Sequence, residues 1–174
     1  MLRFPFSLVL VVAFAISASV GCGGGPHLRG RSYQDEEAHY RIGELGEGWD
    51  SVAVEDNDIA FHNPSLGAIV QVNATCDPVG DIPLTVLTNH LLAGFTARQT
   101  LSEDLVPLDG REALRTHAIA NLDGVSREFL IFVIKKNDCV YDFTLIAPDR
   151  AAFTRSQAIF EGFVAGFTTE VPLR

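Results

Sequence analysis

The first signal along the chain is an alternation of apolar and polar residues in segments 40–42 and 51–55. Alternation with a period of two is typical of a β-strand that buries one face. Residues 56–58 are Asp, Asn and Asp, which favour a turn, so segment 59–62 is predicted to return as the second strand of a hairpin. A longer strand is predicted over 68–76, where β-branched residues indicate a buried position.

The period changes to that of a helix after residue 81. Apolar residues there recur at spacings of three, four and seven: Leu84, Leu87, Leu91, Leu92 and Phe95. We predict an amphipathic helix with Asp81 as its N-cap and Pro83 in its first turn. A second amphipathic helix is predicted after Pro148-Asp149. Its apolar stripe consists of Phe153, Ile159, Phe160, Phe163, Val164 and Phe167.

Strand patterns fill the chain between the two predicted helices. They cover 99–105, 112–122, 125–136 and 139–146 and are separated by turn residues. Asp123-Gly124 is the strongest hairpin signal, because both central residues of a type I′ turn need a positive φ. Strands joined by short turns pair antiparallel, and the helices need an apolar sheet face on which to pack. The predicted fold is therefore α+β, an antiparallel sheet flanked by two amphipathic helices.

The N-terminal residues carry an export signal. Arg3 precedes an apolar stretch at 4–20, and small residues lie before Cys22. Ser19-Val20-Gly21-Cys22 resembles the lipobox of exported bacterial lipoproteins, which implies that Cys22 becomes the lipid-bearing N-terminus. Several acyl chains on one residue anchor a protein stably to a membrane. Gly23 stands where an aspartate would retain a lipoprotein at the inner membrane, which favours the outer membrane, on the side facing the periplasm.

Two other interpretations of this segment stay open. The apolar stretch is close to the ~17-residue lower limit for a membrane-spanning helix. It could therefore remain as an uncleaved anchor, although Pro5 counts against a continuous helix. Ordinary signal cleavage near 17–19 would instead leave Cys22 as a free thiol close to the new N-terminus.

Composition divides the rest of the chain into a linker and one domain. Residues 22–39 are rich in glycine and polar residues and include the acidic cluster Asp35-Glu36-Glu37. Such a segment cannot bury enough apolar surface to offset its loss of chain entropy. We therefore predict a signal peptide at 1–21, a flexible tether at 22–39 and a single globular domain at 40–170.

The charge of the chain disfavours two classes of partner. Its 22 Asp and Glu residues outnumber its 13 Lys and Arg residues, which gives a formal net charge of −9. A surface of this sign repels phosphate backbones and anionic lipid headgroups. Nucleic-acid binding and electrostatic membrane docking are therefore disfavoured, and membrane attachment is expected to come from lipid.

The order of the predicted elements resembles the PsbP-like superfamily, to which DcrB-type bacterial lipoproteins belong. The resemblance covers about 40–168 and rests on Tyr40-Arg41-Ile42, on the Gly48-Trp49 step and on the sequence hairpin, helix, long meander and closing helix. It implies an α/β/α sandwich with a non-catalytic role in binding or assembly. It carries over no site residues, because a shared fold does not define a site.

Two cysteines stand at the ends of predicted strands. Cys76 and Cys139 belong to a chain predicted to reach an oxidising compartment, so a disulfide between them is the leading interpretation. Two separate buried thiols remain the alternative, because sequence alone cannot place two strand ends within the Cα separation that a disulfide requires.

The remaining polar residues form no catalytic or metal-binding pattern. The five histidines lack metal-ligand spacing. His117, Asp123 and Ser126 fall near one hairpin, but no Gly-x-Ser-x-Gly elbow accompanies them. We predict no enzyme activity, no cofactor and no metal.

The candidate partner surface consists of Trp49, Arg111, Arg115 and Arg127. Trp49 is the single tryptophan, and we expect it to be a core or rim anchor, or a contact residue if it is exposed in a groove. The three arginines are expected near one another across the Asp123-Gly124 hairpin. Glu112 and Glu128 are expected to neutralise them as solvated cross-strand pairs.

These observations predict a lipid-anchored protein of the bacterial cell envelope whose domain binds or scaffolds a protein partner. The alternative is a carrier of a small apolar or lipid ligand, held between sheet and helix. A large apolar pocket would favour the carrier, whereas a filled core with an exposed contact surface would favour partner binding.

Overall fold

The computed structural model describes residues 27–54, 57–76 and 80–169 of the chain. The predicted signal peptide and Cys22 lie outside these residues. Within them are two helices, a three-stranded sheet and a seven-stranded sheet. Neither of the two helices is long and apolar enough to cross a membrane.

The small sheet contains β1 (His27–Arg29), β2 (Ser32–Gln34) and β3 (His39–Arg41). The large sheet contains β4 (Asp50–Val52), β5 (Ile59–Asn63), β6 (Ala68–Thr75), β7 (Thr96–Leu108), β8 (Arg111–Leu122), β9 (Val125–Lys136) and β10 (Cys139–Ala147). The helices are α1 (Leu84–Leu91) and α2 (Arg150–Ala165). Neighbouring strands pair antiparallel, and the large sheet has the order β4-β5-β6-β10-β9-β8-β7.

Strand β9 lies inside the large sheet and buries residues on both of its faces. Leu130, Phe132 and Ile134 belong to the larger apolar cluster, which also contains the buried residues of α2. The residues that alternate with them, Phe129, Ile131 and Val133, belong to a smaller cluster together with residues of α1. Because successive side chains of a strand point to opposite faces, the two clusters lie on opposite sides of the sheet.

The two helices begin differently. The side chain of Asp149 accepts a hydrogen bond from the backbone N–H of Ala152 and caps α2. The prediction that Asp81 caps α1 is wrong, because the helix begins after Pro83 and has no side-chain cap. Asp81 instead lies 3.6 Å from Nζ of Lys135, with which it forms an ion pair.

The tight turns follow their predicted chemistry. Asp123 and Gly124 both have positive φ angles, 51° and 79°, as a type I′ turn requires. Asn137 and Asp138 join β9 to β10 in the same way, with φ angles of 54° and 62°. These turns set the register of the long strands that carry most of the core.

Strand β7 forms one edge of the large sheet and is longer than predicted. Its pairing with β8 shifts register between Thr96 and Gln99 and again between Thr100 and Ser102. Near its other end stands Pro107, which has no N–H to offer a further strand. Bulges and proline on an exposed edge oppose pairing with another chain.

The prediction of a flexible tether at 22–39 needs correction, because most of the described part of this segment is folded. Tyr33, on β2, is 1% exposed, and its ring centroid lies 4.9 Å from that of Tyr40 on β3. A carboxylate oxygen of Asp35 accepts hydrogen bonds from the backbone N–H groups of Glu37 and Ala38, which stabilises the turn before β3. The polar composition of this segment gave no indication that Tyr33 packs into the core of the domain.

The first and last described segments are joined. Arg41 and Thr168 exchange two backbone hydrogen bonds of 2.9 Å, and the N–H of Gly43 donates to the carbonyl of Phe163 at 2.9 Å. A Cβ on Gly43 would lie 2.6 Å from that carbonyl oxygen. A Cβ on Gly166, just after α2, would collide with Cα of Gly43. Glycine at both positions is therefore needed for this close approach.

Candidate functional site

The predicted disulfide is present between Cys76 and Cys139, whose Cα atoms are 4.0 Å apart. It joins the end of β6 to the start of β10, and these two strands are neighbours in the sheet. The pairing of Thr75 with Val140 brings the two cysteines together. The bridge therefore reinforces a contact that the sheet already makes.

A cleft of about 680 Å³ opens beside the disulfide and is lined by Arg111, Lys135 and Lys136. Two of these cations have acidic partners. Nζ of Lys136 lies 2.8 Å from a carboxylate oxygen of Asp109, and Lys135 pairs with Asp81. The hydrogen bond from Lys136 helps to lower the pKa of Asp109 against the opposing effect of burial. The cleft is therefore not strongly cationic, despite its lysines and arginine.

Trp49 lies in a second groove, of about 280 Å³, which we call the Trp49 groove. The groove is also lined by Gly30, Arg31, Ile42, Gly43, Glu44, Leu45, Gly46, Phe61 and Phe163. Arg31 and Glu44 form an ion pair at 3.6 Å, with side chains that are 51% and 74% exposed. The indole Nε1 of Trp49 is buried and has no hydrogen-bond partner among the described residues. The groove thus combines an apolar floor with a charged rim.

The three arginines of the predicted surface do not lie together. Arg111 lines the disulfide cleft, whereas Arg127 pairs in register with Ala120, close to the opposite end of β8. Positions 111 and 120 of one strand are separated by about 30 Å, at about 3.3 Å per residue. Trp49 lies in a different groove from either. The four predicted residues therefore form no common surface.

The partners expected for these arginines also differ. Arg115 donates to Glu161 of α2 at 2.7 Å and lies 3.8 Å from Asp104 of β7. Nη1 of Arg127 donates to the backbone carbonyl of Ser126. Sequence spacing suggested cross-strand pairs with Glu112 and Glu128. Arg115 instead pairs with Asp104, its neighbour across the β7–β8 ladder, and with Glu161 on a helix that packs on its face of the sheet.

Glu128 was expected to be a solvated partner of the arginines, but it is the buried centre of a different cluster. Its side chain is 4% exposed, and one carboxylate oxygen lies 2.6 Å from Nε2 of His117 and 2.8 Å from Nη1 of Arg150. The His117 ring stacks on Phe153 with a centroid distance of 4.4 Å. These contacts fasten the first turn of α2 to β8 and β9.

The same cluster does not form a catalytic triad with Ser126. That serine pairs in register with Asn121, four positions along β8 from His117. The separation along the strand is about 13 Å, which is far beyond hydrogen-bond reach. The carboxylate of Glu128 is matched by Arg150, so the geometry favours a structural role for the cluster.

Asp142 is a second buried carboxyl group. It lies on the same face of the large sheet as α1, which packs on β8 and β9. It is 8% exposed and accepts a hydrogen bond of 3.0 Å from Nδ2 of Asn73. Burial raises its pKa to about 6, the nearby charge of Asp58 adds to the rise, and the bond from Asn73 opposes it. The signal in the sequence was a single acid inside the apolar run of β10.

A cavity of about 90 Å³ lies beside Asp142, between α1 and the sheet. Its apolar lining consists of Leu91, Leu92, Phe95, Phe129, Ile131 and Ile146. Pockets for small molecules usually measure about 300 to 1,000 Å³. At this volume the cavity is too small for a lipid.

Asp58 connects the Asn73 side chain to a group of tyrosines. Its backbone N–H donates to Oδ1 of Asn73, and its carboxylate accepts from the backbone N–H of Ala74 and from the Tyr40 hydroxyl. The Tyr33 hydroxyl donates to Asp35 at 2.8 Å. Burial raises the pKa of Asp58 and of both tyrosines. These bonds attach the small sheet to the large one.

No group of three or more His, Cys, Asp or Glu side chains in the described parts of the chain is arranged to hold a metal ion. The described acids with shifted pKa values all have hydrogen-bond partners. The hydrogen bonds of these acids therefore favour a structural role, in which they join strands and loops of the domain.

Neither a protein-family model nor a curated protein matches this sequence. Solved structures do match its fold. The solution structure of cyanobacterial PsbP (CyanoP) from Synechocystis sp. PCC 6803 is 16% identical, with a TM-score of 0.57, and the match covers 87% of this chain and 97% of CyanoP.

A second match is LpqN of Mycobacterium tuberculosis, a protein involved in cell envelope biogenesis. It is 15% identical, with a TM-score of 0.53, over 83% of this chain and 88% of LpqN. A protein of Bacteroides thetaiotaomicron matches at 10% identity and a TM-score of 0.54, over 76% of this chain and 45% of its own. Together with the observed order of strands and helices, these matches show that the chain has a PsbP-like fold.

Proposed function

We propose that this chain is a lipid-anchored protein of the bacterial cell envelope, without catalytic activity, whose domain binds a protein partner through the Trp49 groove. The lipid would be attached to Cys22 and would hold the protein at the outer membrane, on the side facing the periplasm. The shared fold with LpqN, a protein involved in cell envelope biogenesis, supports an envelope role. The disulfide is compatible with an exported domain.

The observation that carries the binding proposal is the composition of the Trp49 groove. Trp49, Phe61 and Phe163 line it, and a charged pair, Arg31 and Glu44, stands at its rim. The residues that contribute most of the binding energy at protein interfaces are often aromatic side chains in a pocket surrounded by a polar rim. An exposed ion pair contributes roughly 0–1 kcal/mol, so a partner could displace it at low cost.

The paired state of the buried polar groups supports a non-catalytic role. Glu128 is matched by Arg150 and His117, and Asp109 by Lys136. A catalytic centre needs groups free to exchange protons or to attack a substrate. The carrier alternative gains no support from the cavity under α1, because its volume is about 90 Å³.

Metabolic labelling with a clickable fatty acid is expected to tag the wild-type protein and not Cys22→Ala, because the acyl chains depend on that thiol. Cys139→Ala serves as the control, since it removes a cysteine that forms the disulfide and should keep the label. Equal labelling of wild type and Cys22→Ala would contradict the anchor and leave the proposal for the groove standing.

A photo-crosslinking amino acid at Glu44 is expected to capture the partner, because this residue stands at the rim of the Trp49 groove. The matched control carries the same amino acid at Thr154, an exposed position on α2 that does not line the groove. Adducts are identified by mass spectrometry after crosslinking in cells.

The adduct at position 44 should decrease several-fold when Trp49→Ala is added, with circular dichroism used to verify that the domain still folds. The rim variant Arg31→Glu offers a second test that leaves the apolar floor intact. Equal adduct yields at 44 and 154, or a yield that neither substitution changes, would refute the Trp49 groove as the binding site.

A further inference from the structure

Helix α1 is less firmly attached to the large sheet than α2. It has eight residues, no side-chain N-cap and one buried residue, Thr88. Helix α2 has 16 residues, the Asp149 cap and six buried residues. The apolar cluster beneath α1 is also the smaller of the two. Helices that bury little surface detach from a fold at lower free energy than the global unfolding of the protein.

A buried carboxyl group shares a cavity with the end of α1, which packs on β8 and β9. Asp142 lines the cavity of about 90 Å³ together with Leu91 and Leu92 from the end of α1 and with Phe95 just after it. The polar residues of the lining are Gln71, Asn73 and Thr144. Asn73 is the side chain that donates to Asp142. A carboxylate transferred from water into apolar surroundings is unfavourable unless several donors surround it. The packed position of α1 therefore favours the protonated form of Asp142.

Other charged groups near α1 do not neutralise Asp142. His90 on α1 is exposed, and Lys135 donates to the backbone carbonyl of Ile82 before the helix. Arg98 of β7 donates to the carbonyl of Leu92 at 3.4 Å. Asp58, which reaches the same Asn73, carries a like charge. No ion pair with Asp142 is formed among the described residues.

We propose that α1 is a proton-controlled cover: it packs on the sheet while Asp142 is protonated and lifts away when that carboxyl group loses its proton. Lifting returns the carboxylate to water. It also exposes the apolar face of the sheet that carries Phe129, Ile131 and Val133. The device is independent of the Trp49 groove, whose lining includes no residue of α1.

The direction of the pH effect follows from the two pKa values. Burial raises the pKa of Asp142 from 3.8 to about 6 while α1 is packed. The packed state is therefore fully favoured below about pH 3.8, and this advantage is lost as the pH rises through about 6. The ratio of lifted to packed molecules should increase about 25-fold between about pH 4.5 and about pH 7.5.

Amide hydrogen exchange on the purified full chain tests this proposal. Protection factors, corrected for the intrinsic exchange rate at each pH, are compared for the amides of Leu87, Leu92 and Phe95, which make hydrogen bonds within α1 or its end. They should fall about 25-fold from about pH 4.5 to about pH 7.5 and lie below those of α2 at the higher pH. In Asp142→Asn the fall should disappear.

The matched control is Asp123→Asn, which removes one exposed acid from the distant β8–β9 turn and should keep the wild-type pH dependence. An unchanged pH dependence in Asp142→Asn would overturn the proposal. Equal protection of α1 and α2 amides at the higher pH would also overturn it, because α1 would then open only when the whole domain unfolds.

Discussion

Replacement of Cys76 and Cys139 by alanine is expected to lower the free energy of unfolding by about 4 kcal/mol. The two residues are separated by 63 positions, so the bridge closes a long loop and removes many conformations from the unfolded chain. The measurement is urea denaturation followed by circular dichroism, in a Cys22→Ala background that keeps a third thiol out of the comparison.

The single variant Cys76→Ala provides the internal control. It already breaks the bridge, so adding Cys139→Ala should change stability by much less than the first substitution. Reduction of the unsubstituted domain should give a loss similar to that of the double variant. Two substitutions with equal and additive effects would show that the cysteines act as separate side chains and would contradict a stabilising bridge.

Gly166→Ala is expected to lower the free energy of unfolding by about 3 kcal/mol, because an added Cβ would collide with the backbone of Gly43. Backbone atoms cannot rotate away as a side chain does, so the segment after β3 must separate from the end of α2. The pairing of Arg41 with Thr168 would be strained by the same shift. Thermal and urea denaturation measure the loss.

Gly162→Ala is the matched control, four residues earlier and within α2. A Cβ at Gly162 meets no atom within 4 Å, and alanine favours the helix by roughly 0.5–1 kcal/mol. The two glycine-to-alanine changes should therefore have opposite signs. If both substitutions destabilised the domain to the same extent, the loss at Gly166 could not be attributed to the collision with Gly43.

The long elements of this fold could be predicted because their signals are local. The apolar run from Phe129 to Ile134 belongs to a strand buried on both faces, as its composition indicated. Asp123-Gly124 forms the predicted turn, since the requirement for positive φ is a property of the two turn residues alone.

The small sheet could not be predicted from composition. Residues around Tyr33 are polar and short of apolar neighbours, so their average indicates a linker. The segment is attached to the domain through the buried Tyr33 ring, which lies against that of Tyr40, and through the hydrogen bonds of these tyrosines to Asp35 and Asp58. Such contacts are tertiary, and an average over a sequence window does not record them.

The candidate site was predicted only in part. Trp49 does line a groove, but nothing in its sequence neighbourhood indicated Phe163, which lies more than a hundred residues further along the chain. The arginines were placed together by their closeness in sequence, whereas the antiparallel register sends Arg111 and Arg127 to different ends of one hairpin. Pairings between helix and sheet, such as Arg115 with Glu161, depend on packing that a strand pattern does not contain.

The contacts of Arg41 and Gly43 with the end of α2 also limit how early the domain can finish folding during synthesis. A ribosome releases the N-terminal segment first, whereas its backbone partners on the other side of this contact, Phe163 and Thr168, are among the last described residues to emerge. The larger core therefore cannot close on an incomplete chain. If the chain is exported, as we propose, late closure is an advantage, because a chain that stays open can still be threaded through a narrow translocation channel.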